Sequence, residues 1–313
     1  MTTFTLAFPG QGSQSVGMLA ELAAEFATVE ATFAQASDVL GYDLWQLVQQ
    51  GPVEELNKTF KTQPALLAAS VAIWRVWQEK GGAAPVIMAG HSLGEYSALV
   101  CAGVIEFKDA IKLVELRGQL MQQAVPEGVG AMAAVIGLDD QGIADACIQA
   151  AQDEVVSPVN FNSPGQVVIA GNKAAVERAG VLCKEAGAKR VLPLPVSVPS
   201  HCALMKPAAD ELAKALKNIQ FNTPVIPVIN NVDVAQETNP EAIKDALVRQ
   251  LYLPVRWTEI VETMAKLDVT LEIEAGPGKV LSGLVKRINK TIAAQAINDV
   301  AGLNAALAAT NEG

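Results

Sequence analysis

Basic side chains are under-represented in this sequence. Its 313 residues include 23 lysines and arginines against 33 aspartates and glutamates, which leaves a formal net charge of −10. Proteins that bind nucleic acids need a basic surface to neutralise phosphates. We therefore expect no nucleic-acid partner.

Cysteine is also rare, and long apolar runs are missing. The four cysteines have no C-x-x-C spacing, so neither a zinc site nor a disulfide framework is indicated, and we expect no bound metal. Charge or glycine interrupts the apolar stretches before the roughly 18 residues that a membrane helix needs. The first residues lack the basic region of a signal peptide. These features favour a folded cytoplasmic protein without membrane contact.

The remaining sequence has the pattern of an α/β protein. Alternating residues over Phe4–Phe8 predict a strand that ends in the glycine-rich loop Pro9–Gln14. Apolar runs predict further strands over Val225–Ile229 and Thr270–Glu274, with helical periodicity between such runs. The tail beyond Ala301 is rich in alanine and asparagine, and we expect it to fray. The pattern predicts an α/β-hydrolase-like fold with a parallel sheet.

A second pattern interrupts the first. Residues 128–196 show the order β-α-β-β-α-β, which is typical of a ferredoxin-like unit. We therefore predict a discontinuous catalytic domain, residues 1–127 and 197–313, and an inserted ferredoxin-like small domain, residues 128–196. Proline-rich residues 193–199 are expected to form a stiff, extended connector between them.

The most informative motif is Gly90-His91-Ser92-Leu93-Gly94, a G-x-S-x-G pentapeptide. It follows the apolar run Pro85–Ala89 and precedes a helical segment, so it lies at a predicted strand-to-helix turn. Such a turn exposes the serine hydroxyl, and the helix N-terminus can stabilise an oxyanion. A serine that only caps the helix is the structural alternative. The strand before it favours a nucleophile.

A serine nucleophile needs a base, and the sequence offers only two histidines. The side chain of His91 should point away from Ser92, because the two residues are adjacent in the turn. His201 lies where the chain leaves the small domain, a natural place for an active-site group, although a capping or interface histidine is the alternative. The acids between Ser92 and His201 fall mostly in the small domain. We therefore expect a Ser-His dyad oriented by a backbone carbonyl rather than a triad.

Three segments, namely Phe8–Gln14, the Ser92 pentapeptide and Ser200-His201, together resemble the malonyl-CoA:acyl carrier protein transacylase family of bacterial type II fatty acid synthesis. The resemblance covers nearly the whole chain. Further matching segments are Thr62–Ala65, Asn160–Gln166 and Glu274–Gly278.

The resemblance implies roles for individual residues. Ser92 would be the nucleophile and His201 the base, with the carbonyl of Gln250 orienting the histidine. The backbone N–H groups of Gln11 and Leu93 would form the oxyanion hole, which suits one residue in a tight glycine loop and one just after the nucleophile. The pocket or the coenzyme path would be lined by Asn160, Asn162 or Gln166.

Arg117 would bind the carboxylate that distinguishes a malonyl from an acetyl group. A planar guanidinium can meet a carboxylate with two parallel hydrogen bonds. The sequence alone equally allows a solvated helix residue paired with Glu115. The family resemblance favours the substrate role.

The implied reaction moves a malonyl group from malonyl-CoA to the phosphopantetheine thiol of an acyl carrier protein, through an ester on Ser92. The enzyme itself would need no cofactor, and we expect a monomer. A serine thioesterase or esterase, and a scaffold that only binds carrier proteins, are the alternative functions. Carrier proteins of this kind are acidic, so a local basic face would have to dock them. The candidates for this face are Lys189, Arg190, Lys286, Arg287 and Lys290. An ordinary solvated surface is the alternative for these residues.

Overall fold

The protein contains two sheets, seen in a computed structural model that describes residues 2–196 and 198–311. Neighbouring strands of the first sheet are parallel, and their order across it is 228–229, 87–90, 4–8, 271–275 and 293–297. In chain order, the strands of this sheet are β1 (Phe4–Phe8), β2 (Ile87–Gly90), β7 (Val228–Ile229), β8 (Leu271–Ala275) and β9 (Ala293–Ile297).

The second sheet is antiparallel and occupies the segment predicted as ferredoxin-like. Its strands are β3 (Gly130–Ile136), β4 (Val156–Ser163), β5 (Gln166–Asn172) and β6 (Arg190–Pro193). They lie in the order β4-β5-β3-β6, and the helices α8 (Asp140–Ala151) and α9 (Lys173–Glu185) connect them. The predicted element order and the predicted fold class are therefore confirmed.

Helices surround the parallel sheet. Those before the second sheet are α1 (Ala20–Glu25), α2 (Ala27–Leu40), α3 (Leu44–Gln50), α4 (Val53–Leu56), α5 (Thr59–Glu79), α6 (Leu93–Cys101) and α7 (Phe107–Ala124). Those after it are α10 (Lys206–Leu216), α11 (Pro240–Gln250), α12 (Trp257–Lys266), α13 (Val280–Ile288) and α14 (Val300–Asn311). In the described part of the chain, no helix is both long and apolar enough to cross a membrane.

The core lies on both faces of the parallel sheet. Every residue of β1 is buried: Leu6 and its alternating neighbours face one apolar cluster, and Ala7 faces another around Trp257. Backbone hydrogen bonds from Val255 to Val159 (2.8 Å) and from Phe161 to Val255 (3.0 Å) join β4 to the segment before α12. This link fixes the small sheet beside the carboxyl end of β2, where the Ser92 turn lies.

Two local predictions are wrong. The strand predicted over Val225–Ile229 is reduced to Val228–Ile229, because Val225 is 79% exposed and its N–H donates to the carbonyl of Ala102 instead. The tail does not fray at Ala301 but forms α14, where Leu303 and Ala306 are buried. Within the predicted connector, and at the predicted domain boundary, Ser197 lies outside the described residues.

Candidate active site

The Ser92 turn links β2 directly to α6. Ser92 has φ 53° and ψ −108°, a conformation that side chains rarely adopt. A Cβ atom on Gly90 would lie 1.9 Å from the carbonyl carbon of Gly94, and one on Gly94 would lie 1.9 Å from the carbonyl oxygen of Phe8. Gly90 is therefore required by the close approach of the start of α6 within the turn, and Gly94 by the packing of α6 against β1.

A hydrogen-bonded pair stands at the turn. The Oγ of Ser92 lies 2.8 Å from Nε2 of His201, and Nδ1 of the same ring lies 2.6 Å from the carbonyl oxygen of Gln250. Because a carbonyl can only accept, neutral His201 carries its proton on Nδ1 and leaves Nε2 free to accept from the serine hydroxyl. The orienting group of this pair is thus the expected backbone carbonyl rather than a carboxylate.

The surroundings keep His201 unprotonated. Burial, followed by the positive charge of Arg117, lowers the pKa of His201 to about 3, against the opposing effect of the Gln250 carbonyl. Both causes disfavour the imidazolium form. His201 is therefore unprotonated, and able to accept a proton, at neutral pH.

Arg117 is buried beside this pair, with no exposed surface. Its Nη2 donates to Ser92 Oγ (3.2 Å) and to Gln250 Oε1 (3.0 Å), while Nη1 donates to Gln63 Oε1 (2.8 Å). Its Nε finds no partner, and the guanidinium makes no ion pair, within residues 2–196 and 198–311. The alternative of a solvated helix residue paired with Glu115 is therefore wrong.

A cavity of about 210 Å³ opens onto the pair. Gln11 lies on its wall together with Ser92 and His201, and Asn160 lies there too, as predicted for a pocket residue. Leu93 is the first residue of α6, where backbone N–H groups lack partners within the helix. The other side chains lining this cavity are Asn57, Thr59, His91, Gln122, Met132, Leu194, Pro195, Val196, Val198 and Ser200.

Two predicted pocket residues lie elsewhere. Asn162 accepts through Oδ1 from Nε2 of His91 at 2.8 Å, which ties the nucleophile turn to β4. Gln166 stands at the start of β5 and accepts through Oε1 from Nη1 of Arg287 on α13. Neither lines the cavity; a role for Asn162 or Gln166 along the coenzyme path stays a prediction. The basic candidates are all exposed, on either side of this bond: Lys189, Arg190, Lys286, Arg287 and Lys290.

Sequence reasoning missed three polar side chains at the site. Gln63 holds one end of Arg117. Asn231 accepts from the N–H of Ser92 (2.7 Å) and donates to the carbonyl at the end of β2 (2.7 Å). Glu95 is buried behind the nucleophile and accepts from Asn231. Only Glu95 had a sequence signal, as the acid of an S-x-x-E helix start.

The described residues contain no grouping of histidine, cysteine, aspartate or glutamate that could hold a metal ion. All four cysteines are free and buried. The site itself brings together an oriented serine, a neutral imidazole and a buried guanidinium.

This chain is similar to known proteins over nearly its whole length. The family model described as acyl transferase domain matches residues 5–304. The malonyl CoA-acyl carrier protein transacylase of Haemophilus influenzae is 71% identical over 306 residues, which cover 97% of this chain and 98% of the relative. That of Escherichia coli K12 is 69% identical over 307 residues, covering 98% of this chain and 99% of the relative.

Solved structures show the same similarity. An acyl carrier protein S-malonyltransferase from Vibrio cholerae superposes with a TM-score of 0.96 at 74% identity, covering 97% of this chain and 99% of that one. A malonyl-transacylase solved in complex with its type II PKS acyl-carrier protein has a TM-score of 0.98 at 69% identity, covering 98% of this chain and 100% of that one.

Proposed function

This chain belongs to the malonyl CoA-acyl carrier protein transacylase family, and on that premise we propose that it carries a malonyl group from malonyl-CoA to an acyl carrier protein on Ser92. The proposed setting is fatty acid biosynthesis in the cytoplasm. The observation that carries the proposal is Arg117: a buried guanidinium 3.2 Å from the nucleophile, without an ion-pair partner in the described part of the chain. Such a charge calls for an incoming carboxylate.

The first half-reaction loads the enzyme. Nε2 of His201 takes the proton from Ser92 Oγ as the oxygen attacks the thioester carbonyl. The C–S bond then breaks, and the imidazolium returns the proton to the departing coenzyme A thiolate. The N–H groups of Gln11 and Leu93 are proposed to stabilise the oxyanion between these steps.

The second half-reaction unloads the enzyme by the same route in reverse. His201 takes the proton from the phosphopantetheine thiol of the carrier protein as its sulfur attacks the malonyl ester. The ester C–O bond breaks, and the proton returns to Ser92 Oγ. Every bond that forms or breaks is supplied by the two substrates and this pair, so we propose that the enzyme uses no cofactor of its own.

The alternatives fit the site less well. A serine esterase orients its histidine with an acid, whereas here the carbonyl of Gln250 accepts from Nδ1 of His201. A scaffold that only binds carrier proteins has no use for a buried guanidinium beside an oriented serine and histidine. Arg117 at this position favours transfer of an acyl group that itself carries a carboxylate.

Substitution of Arg117 tests this function. Arg117→Ala should lower kcat/KM for malonyl transfer by a hundredfold or more, since losing one partner of a buried charge pair costs about 3–5 kcal/mol. Acetyl transfer should survive or rise, because an acetyl group has no carboxylate to pair. The measurement is the ratio of malonyl to acetyl loading on the purified enzyme.

Arg75→Ala is the matched control. Arg75 is a half-buried arginine on α5 that bonds to Thr32 and Gln35 and stacks on Phe107, away from Ser92. Its loss should leave the malonyl to acetyl ratio unchanged. An equal loss of both acyl groups in Arg117→Ala would contradict the proposed role of Arg117.

A further inference from the structure

Glu95 is a buried carboxylate that the reaction described above does not use. It lies on the first turn of α6, three residues after the nucleophile, and is only 1% exposed. Its Oε2 accepts from Nε2 of Gln250 at 2.8 Å and from the N–H of Asn231 at 3.0 Å. A carboxylate is rarely buried without a compensating role.

Gln250 connects this carboxylate to every reacting group. Besides Glu95, its Nε2 donates to the carbonyl of Ser92 (3.0 Å), and its Oε1 accepts from Nη2 of Arg117 (3.0 Å). Its backbone carbonyl accepts from Nδ1 of His201 (2.6 Å). One glutamine therefore sets the position of both the base and the guanidinium.

Glu95 helps to decide which way the Gln250 amide faces. An amide turned around would point its N–H₂ group at Arg117, placing donor against donor, and its oxygen at Glu95, placing acceptor against acceptor. An ionised carboxylate can only accept, so it excludes that orientation. The Gln250 amide thus lies between the positive charge of Arg117, at its oxygen, and the negative charge of Glu95, at its nitrogen.

We propose, on the basis of the proposed function, that Glu95 is a positioning residue for malonyl transfer. Its carboxylate, acting through the side chain of Gln250, orients Arg117 and His201 and balances the positive charge that stands beside the base. The negative charge of Glu95 favours formation of the imidazolium as Ser92 gives up its proton. When Glu95 is neutral, the balance is lost and transfer slows.

The titration behaviour of the site supports this assignment. Burial raises the pKa of Glu95 to about 7, against the lowering effects of the Gln250 and Asn231 hydrogen bonds and of Arg117. Because the pKa of His201 is lowered to about 3, a rise in kcat through neutral pH belongs to ionisation of Glu95 and not to the histidine. The sign follows: kcat increases as pH rises and Glu95 gains its charge.

The other charged or titratable groups around Glu95 do not account for such a rise. Burial lowers the pKa of Arg117 on α7, but an arginine side chain remains protonated in proteins, and burial raises the pKa of Tyr96 on α6 to about 12. Hydrogen bonds from Arg249 lower the pKa of Asp233, which follows β7, and burial lowers that of His91. Glu237 faces Glu95 across a small cavity from outside the network.

Glu95→Gln tests the proposal, because a glutamine oxygen can still accept from both Gln250 and Asn231 while the charge is removed. In the wild type, kcat with saturating substrates should rise through about pH 7. In Glu95→Gln we expect no such rise and a kcat about tenfold to a hundredfold lower at alkaline pH. The KM for malonyl-CoA should stay the same or fall, because the variant has no negative charge at position 95 to compete with the malonyl carboxylate for Arg117.

Glu115→Gln is the control, since Glu115 is a half-buried carboxylate on α7, near Lys61 and outside this network, whose pKa is also raised by burial. The kcat of the Glu115→Gln enzyme should rise with pH as in the wild type. A Glu95→Gln enzyme with the wild-type kcat and pH profile would overturn the proposal, as would a kcat loss matched by a rise in KM.

If Glu95→Gln does not fold, the pH profile of the wild-type kcat remains as the test. A wild-type kcat that does not change through neutral pH overturns the proposal without any substitution. Loading of malonate onto the wild-type enzyme is measured in parallel. If it succeeds while the Glu95 results fail, the positioning role alone is wrong. If it fails, the proposed function is wrong.

Discussion

At the scale of single residues, Ser92 and His201 share an unusual backbone. Their φ angles are 53° and 63°. For a residue with a side chain, this backbone conformation costs about 1–3 kcal/mol and persists only where the surrounding structure enforces it. Asn231 receives the N–H of Ser92, and the carbonyl of Leu251 receives that of His201 at 2.9 Å. The conformation of both partners is thus held by neighbours on other elements before substrate arrives.

Gly94 gives a prediction at this scale. Gly94→Ala should destabilise the protein by about 1–3 kcal/mol and reduce activity, because its Cβ would overlap the carbonyl of Phe8 and push α6 away from β1. Gly283→Ala on α13 meets no atom within 4 Å and should instead stabilise by about 0.5–1 kcal/mol. Denaturant midpoints of the two variants check this; a Gly94→Ala protein as stable as the wild type would contradict the packing described here.

At the scale of elements, the strand-to-helix turn at Ser92 was predictable because its motif, its strand and its helix are contiguous in the sequence. Short elements were not predictable. The helix α3 begins at a cap, where the side chain of Asp43 accepts from the N–H of Gln46. The apolar run that starts at Val225 gave no sign that only its last two residues pair with β2. The β-α-β-β-α-β order was predictable, since the apolar residues of each helix and each strand recur with the spacing typical of that element.

The residues of the site divide in the same way. Ser92 could be predicted from its motif and His201 from the shortage of histidines, whereas Arg117 was indicated only by the family resemblance, because the residues alone left open whether it was solvated. Glu95 and Asn231 could not, because their hydrogen bond spans 136 positions and only the fold brings them together. In a capping box of S-x-x-E sequence, the glutamate side chain generally accepts from the N–H of the serine. Asn231 takes that N–H instead and leaves Glu95 to the network.

At the scale of the whole molecule, a net charge of −10 must be reconciled with an acidic carrier protein. Arg287 on α13 bonds to Gln166 on β5, so this bond joins the exposed basic residues of α13 to the small sheet, where Lys189 precedes β6 and Arg190 begins it. We propose that this basic face, defined by Lys189, Arg190, Lys286 and Arg287, docks the carrier protein. A monomer presents such a face without help from a second chain.

Charge reversal tests the docking face. Lys286→Glu combined with Arg287→Glu should raise the apparent KM for carrier protein about tenfold, because complementary charge speeds encounter, and should leave the KM for malonyl-CoA unchanged. Lys214→Glu, an exposed lysine on α10 paired with Glu211, is the control and should alter neither. If both KM values rise together in the double variant, the basic face is not the docking site.

Above all, we propose that Ser92 holds a malonyl group for transfer rather than for hydrolysis. The most direct measurement is the intact mass of the protein after mixing with malonyl-CoA, after removal of excess substrate, and again after addition of holo carrier protein. We predict one malonyl group on the wild type and none on Ser92→Ala, with Ser200→Ala, a second serine of the same cavity, still loaded. The group should persist in buffer and move to the carrier protein when it is added; loss to water at the same rate with or without carrier protein would contradict the account.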